Sequence, residues 1–118
     1  MAQTTKQAAG NRGEDDALAH LARHGLQLVE RNFRCKPGEI DLIMRDGDSL
    51  VFVEVRQRAS ASHGGAAASI TPAKQKRLVR AAQLYLQRYR RLPPCRFDVV
   101  AIEAGQLHWL RNVLMLEL

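Results

Sequence analysis

The chain has 118 residues, 46% apolar and 25% charged, which fits one ordinary globular domain and leaves too little chain for a second core. Its 18 Lys and Arg against 12 Asp and Glu give a net charge of +6 and a pI near 10.0, a bias that points to a polyanionic partner, nucleic acid before an anionic membrane surface. No apolar run approaches a membrane span, the polar stretch from Met1 to Asn11 lacks the core of a secretory signal, and Cys35 and Cys95 form no CxxC pair, so the expectation is a reduced cytoplasmic protein with no membrane partner.

Residues 1–12, biased toward Gln, Thr, Ala and Gly, read as a disordered tail ahead of a single domain over 13–118. Gly13-Glu14-Asp15-Asp16 opens a helix, with acids where the positive end of the macrodipole favours them. The helix is expected from about Glu14 to His24, stopping at Gly25. At about 100° per residue, Glu14, Leu18, Leu21 and Gly25 share one stripe, which puts Glu14 at the start of the buried face. Gly25 to Arg34 alternates weakly and reads as a first strand. Pro37-Gly38 then breaks the chain.

Gly38-Glu39-Ile40-Asp41-Leu42-Ile43 and Val51-Phe52-Val53-Glu54-Val55-Arg56 are two apolar, β-branched runs with acids inside them, joined through Asp46-Gly47, a hairpin signal. One register pairs Arg45 with Asp48 and sets Glu39 opposite Glu54. Another pairs Arg45 with Leu50 and sets Asp41 opposite Glu54. With side chains alternating, both put Glu39, Asp41, Glu54 and Arg56 on one face and Ile40, Leu42, Met44, Val51, Val53 and Val55 on the other. Carboxylates that converge in strands are costly to desolvate and repel one another unless a cation sits between them. A hard divalent ion with oxygen ligands is the natural cation.

The small-residue stretch Ala59 to Ser69 reads as a flexible loop, its Gly64-Gly65 able to close over a nucleic-acid backbone. Thr71-Pro72 is an N-cap with proline at the first helical position. The helix from Pro72 to about Arg90 shows an apolar face of Leu78, Ala81, Ala82, Tyr85 and Tyr89. Lys74, Lys76, Arg77 and Arg80 cluster near its start, where backbone N–H groups also favour phosphate; they are the expected nucleic-acid contacts. After Pro93-Pro94, Arg96 to Ile102 and Leu107 to about Val113 are expected strands. The fold class is α/β, in the order α-β-β-β-α-β-β.

An aspartate, then Glu-x-basic on the next strand, with a helical glutamate in front, resembles the PD-(D/E)xK nuclease superfamily. More closely, the chain is similar to the YraN-like family of small bacterial proteins, endonuclease-like and related in fold to Holliday-junction resolvases. The resemblance rests on Gly38 to Ile43, Val51 to Arg56, Lys74-Gln75-Lys76-Arg77 with Ala81-Ala82 and Tyr85-Leu86, and Arg96-Phe97-Asp98-Val99-Val100. It implies a restriction-endonuclease-like domain, a mixed central sheet flanked by two helices, and a metal-dependent nuclease acting on branched DNA in repair or recombination. It also implies Mg²⁺ or Mn²⁺ held by Asp41 and Glu54, with Glu14 a further ligand, direct or through water. Gln57 would be an auxiliary polar group at the site, which in a regular strand requires a bulge. Kinship with junction resolvases implies a homodimer, since a symmetric substrate needs two cuts.

The chain departs from the superfamily at Arg56, which stands at the motif lysine. A guanidinium cannot accept a proton, but it can bind phosphate and stabilise charge. Catalysis then rests on the metal, or another lysine enters, with Lys74 the candidate. The rival reading is a non-catalytic nucleic-acid-binding protein that keeps the nuclease fold. His20 and His24, at i and i+4, flank the apolar stripe and are not expected to hold zinc. Asp98 is expected to pair with a nearby arginine, and Trp109 to pack as core.

Overall fold

The computed structural model describes residues 5–58 and 70–114. Helix α1 (Thr5–Arg23) precedes three strands, β1 (Gln27–Arg34), β2 (Glu39–Asp46) and β3 (Ser49–Arg58). Helix α2 (Pro72–Leu86) then leads to β4 (Cys95–Glu103) and β5 (Gln106–Leu114). The five strands form one sheet in chain order. Every neighbouring pair is antiparallel except β3 and β4, which run parallel in unbroken register from Leu50↔Cys95 to Arg58↔Glu103. A parallel pair needs a long crossover, and α2 is that crossover. The α/β class and element order expected from the sequence are those observed. Neither helix is long and apolar enough to cross a membrane.

Two boundaries differ. Helix α1 begins at Thr5, not near Glu14, so it takes in most of the stretch expected as a tail. Lys6, Gln7, Ala8 and Ala9 are good helix formers that extend a helix already anchored further on. Helix α2 ends at Leu86, short of Arg90, with Gln87 as C-cap. The loop expected over 59–69 lies outside the described residues.

The sheet is covered on both faces. On one, Ala17 and Leu21 of α1 pack with Leu42, Met44, Val51, Val53, Val100 and Ile102. On the other, Leu78, Ala81, Ala82, Tyr85 and Leu86 of α2 pack with Ile43, Leu50, Phe52 and Phe97. The face expected to carry the carboxylates is therefore itself core over most of its length, and the acids occupy only its end. The inward side of α1 is Gly13, Ala17 and Leu21, with Glu14 beside it and only partly buried. Gly13 allows a close approach: a Cβ there would lie 2.6 Å from Gln57 Oε1 and 3.7 Å from Ile102 Cδ1.

The hairpin takes the second register, with Arg45↔Leu50 and Asp46↔Ser49, and Gly47 adopts a positive φ of 59° in the turn. Regular β2–β3 pairing runs as far as Leu42↔Val53. Beyond it, the Val55 N–H donates to Asp41 Oδ2 at 2.8 Å, a side chain in place of a strand partner. The alternation breaks there. Ile40, expected beside Leu42 and Met44, is buried in the α2 cluster instead.

Candidate active site

The place where β2 leaves β3 opens a cleft of about 320 Å³ between the strand ends and the start of α2. Gly38, Glu39, Asp41, Glu54, Lys74 and Arg77 line it. Each wall has a local cause. Thr71, in extended conformation, accepts a hydrogen bond from the Lys74 N–H at 3.2 Å, so the cap fixes the first turn of α2. Gly38 lets β2 approach that helix, because a Cβ there would meet Arg77 Cβ at 3.4 Å. Asp41 and Glu54 reach the cleft from neighbouring strands.

Glu54 is buried, at 6% exposure, and would be costly there without partners. It has two cations: Lys74 Nζ lies 2.8 Å and Arg56 Nη1 3.6 Å from its Oε1. Among the described residues, no such contact neutralises Asp41. Withdrawal from water, then the charge of Glu54, push its carboxyl up to about 8 against the opposing bond from Val55, with smaller contributions from Glu14 and Glu39. A carboxyl raised by desolvation and a like charge in a cleft has the character of a functional group.

Glu14 sits beside this cluster, tied to Arg31 of β1 at 3.5 Å, while Arg31 also holds Asp15 at 2.9 Å. Burial raises its carboxyl above the ordinary range and Arg31 opposes that shift. Asn32 makes a link that the sequence does not reveal. With its amide nitrogen facing the acids, it donates to Glu14 Oε1 and to Glu39 Oε1, each at 3.1 Å. Its φ is 53°, a left-handed conformation that asparagine tolerates better than most residues.

A scan of family models matches residues 13–102, which take in four of the five strands and the cleft, to the uncharacterised protein family UPF0102. The chain belongs to that family. It is 62% identical over 112 residues to a UPF0102 protein of Herminiimonas arsenicoxydans, covering 95% of this chain and 90% of the relative. It is 60% identical over 116 residues to one of Cupriavidus pinatubonensis, covering 98% and 91%. A third, from Alkalilimnicola ehrlichii, is 60% identical over 105 residues, covering 87% and 83%.

The remaining residues singled out in this UPF0102 sequence are divided by the fold. Gln57 is not among the residues that line the cleft. The β3–β4 pairing is unbroken where a bulge was required, and the Gln57 side chain lies against Gly13 on the α1 face. Lys74 and Arg77 face the cleft, whereas Lys76 and Arg80 line a separate groove with Gln75, Val79 and Gln83. Among the described residues, no three His, Cys, Asp or Glu gather closely enough to hold a metal by themselves. His20 and His24 stack on each other and edge onto Trp109, away from the carboxylates. Asp98, buried, is held by Arg96, by Trp109 Nε1 at 2.9 Å and by the Asn112 N–H at 2.9 Å. Its pairing with a nearby arginine was expected; the indole bond was not.

Proposed function

We propose that this UPF0102 protein is a metal-dependent nuclease that hydrolyses phosphodiester bonds in branched DNA. The observation that carries the reading is the single cleft in which Asp41 and Glu54 face Lys74 and Arg77. Carboxylates suit a hard cation, and the basic residues suit the phosphate that such a cation would activate. The resemblance to the PD-(D/E)xK superfamily supports the same assignment, with Asp41 and Glu54 in the positions of its acids.

The donor set fits Mg²⁺ or Mn²⁺ in one specific way. Two carboxylates are enough for an ion of the Mg²⁺ type, which keeps several waters and takes its other oxygens from substrate phosphate. A dedicated cage of three protein acids is not present among the described residues, so Glu14 would act through water or by its field on Asp41. When bound, the ion would polarise the phosphate and lower the pKa of an attacking water. The chain's own contribution is to hold Asp41 against the Val55 N–H, to hold Glu54 between two cations, and to present Arg77 to the backbone of the strand. A homodimer would supply two such clefts to a two-fold branched substrate.

Arg56 at the motif lysine favours a second reading, a nucleic-acid-binding module on the nuclease fold. One experiment separates the two. Purified protein is incubated with Mg²⁺ or Mn²⁺ and a panel of four-way junctions, flaps and single strands, beside Asp41→Asn and Glu54→Gln. Cleavage by the wild type alone supports the nuclease. Tight binding of branched DNA without a cut in any metal favours the module.

A further inference from the structure

We infer that Lys74, and not Arg56, is the cation that contacts the scissile phosphate in this cleft. The inference rests on the nuclease reading and assigns a role within it. Lys74 and Arg77 line the cleft with Asp41 and Glu54; Arg56 does not. Both Lys74 and Arg56 approach Glu54 Oε1, but the ammonium is at 2.8 Å and the guanidinium at 3.6 Å. Arg56 thus supports Glu54 from outside the cleft lining, while Lys74 is part of that lining.

The helix makes Lys74 a precise donor. Its N–H is capped by Thr71, and Leu78, four residues on, is buried in the core, so the backbone at Lys74 is fixed at both ends of the first turn. The ammonium carries three donors, and among the described residues Glu54 Oε1 takes one, which leaves the others for an incoming oxygen. The side chain keeps 26% exposure, so substrate can reach it.

In the step assigned, a water oxygen forms a bond to phosphorus and the bond from phosphorus to the leaving oxygen breaks. The proton lost by the water goes to solvent, and the leaving oxygen takes one from solvent. Lys74 keeps its protons and donates hydrogen bonds to a non-bridging oxygen as negative charge builds there.

The test compares wild type, Lys74→Ala, Lys74→Arg and Arg56→Ala in single-turnover cleavage of a branched DNA with Mn²⁺. DNA affinity is measured in EDTA, and Mn²⁺ affinity by calorimetry without DNA. Lys74→Ala should lower the rate by about 100-fold while changing DNA affinity by less than about 3-fold, with Lys74→Arg recovering part of the loss and Arg56→Ala costing less. Mn²⁺ should bind Lys74→Ala at least as tightly as wild type, because Glu54 has lost a competing cation. The assignment is overturned by a Lys74→Ala rate near that of wild type, by a larger loss in Arg56→Ala, or by a loss of Mn²⁺ binding in Lys74→Ala. A wild type that cuts nothing overturns the nuclease reading, and this assignment with it.

Discussion

Asp41 carries a strain that pH exposes. Its carboxyl ionises at about 8 in the folded chain against 3.8 for an ordinary aspartate, chiefly because it is withdrawn from water beside Glu54. The folded state therefore holds a proton that the unfolded chain releases. The stability this contributes is fully present below 3.8 and is lost as pH rises through about 8. Thermal melts of metal-free protein should show Tm falling between about pH 5 and pH 8.5, and Asp41→Asn should flatten the decline. A Tm that climbs across that window would contradict the origin given for the shift. Asn32 supports the neighbouring acids from a left-handed backbone. Asn32→Ala should lose both the bridge and the tolerated φ, whereas Asn32→Gly loses only the bridge. The alanine variant should be less stable than the glycine variant by about 1 kcal/mol in urea unfolding. Equal stabilities would mean that the φ of 53° imposes no constraint.

Helix α1 meets the sheet through Gly13, where Gln57 Oε1 and Ile102 Cδ1 leave no room for a large side chain. Gly13→Ala should be close to neutral in stability, since the Gln57 amide can swing away and alanine favours the helix by about 1 kcal/mol. Gly13→Leu should cost about 1–3 kcal/mol, because overpacking lifts the helix from β3. Near-equal unfolding midpoints for the two variants would show that α1 is not pinned there. Much of this architecture is legible in the residues. Alternation, the Asp46-Gly47 turn and Thr71-Pro72 mark the elements, and acids inside apolar strands mark Asp41 and Glu54 as exceptional. The residues leave the hairpin register open, because both alternatives put the same side chains on the same face. Gln57 would reach the site only through a bulge, and the continuous pairing with β4 turns it toward α1 instead. Ile40 was misplaced because the break at Asp41 arises from one side-chain bond to Val55 that no periodicity reports. Asn32 went unnoticed for a similar reason, since its role depends on a positive φ and on acids brought from two other elements.

For the whole molecule, the net charge of +6 is less informative than its distribution along α2. Four basic residues cluster near its start in sequence, but the fold turns Lys74 and Arg77 toward the carboxylate cleft and Lys76 and Arg80 toward another groove. Measuring DNA affinity against salt for two double variants tests the division. Replacing Lys74 and Arg77 by alanine should reduce the slope of log K against log salt by about 1, the loss of the Arg77 phosphate contact, because Lys74 acts mainly in the transition state. Replacing Lys76 and Arg80 should leave the slope nearer to that of wild type. Equal reductions would mean that the DNA backbone runs across both flanks of the helix.

The setting of Trp109 gives the protein a built-in optical reporter. It is the chain's one tryptophan, with Arg111 stacked 3.8 Å above its ring, His20 and His24 of α1 at its edge, and its N–H on Asp98. Protonated imidazoles quench indole emission, and burial, then His24 and Arg23, hold His20 below its ordinary titration range. Trp109 lies on β5, with β4 between it and the strand that carries Glu54, so its fluorescence should follow the docking of α1 on the sheet and stay silent when the cleft fills.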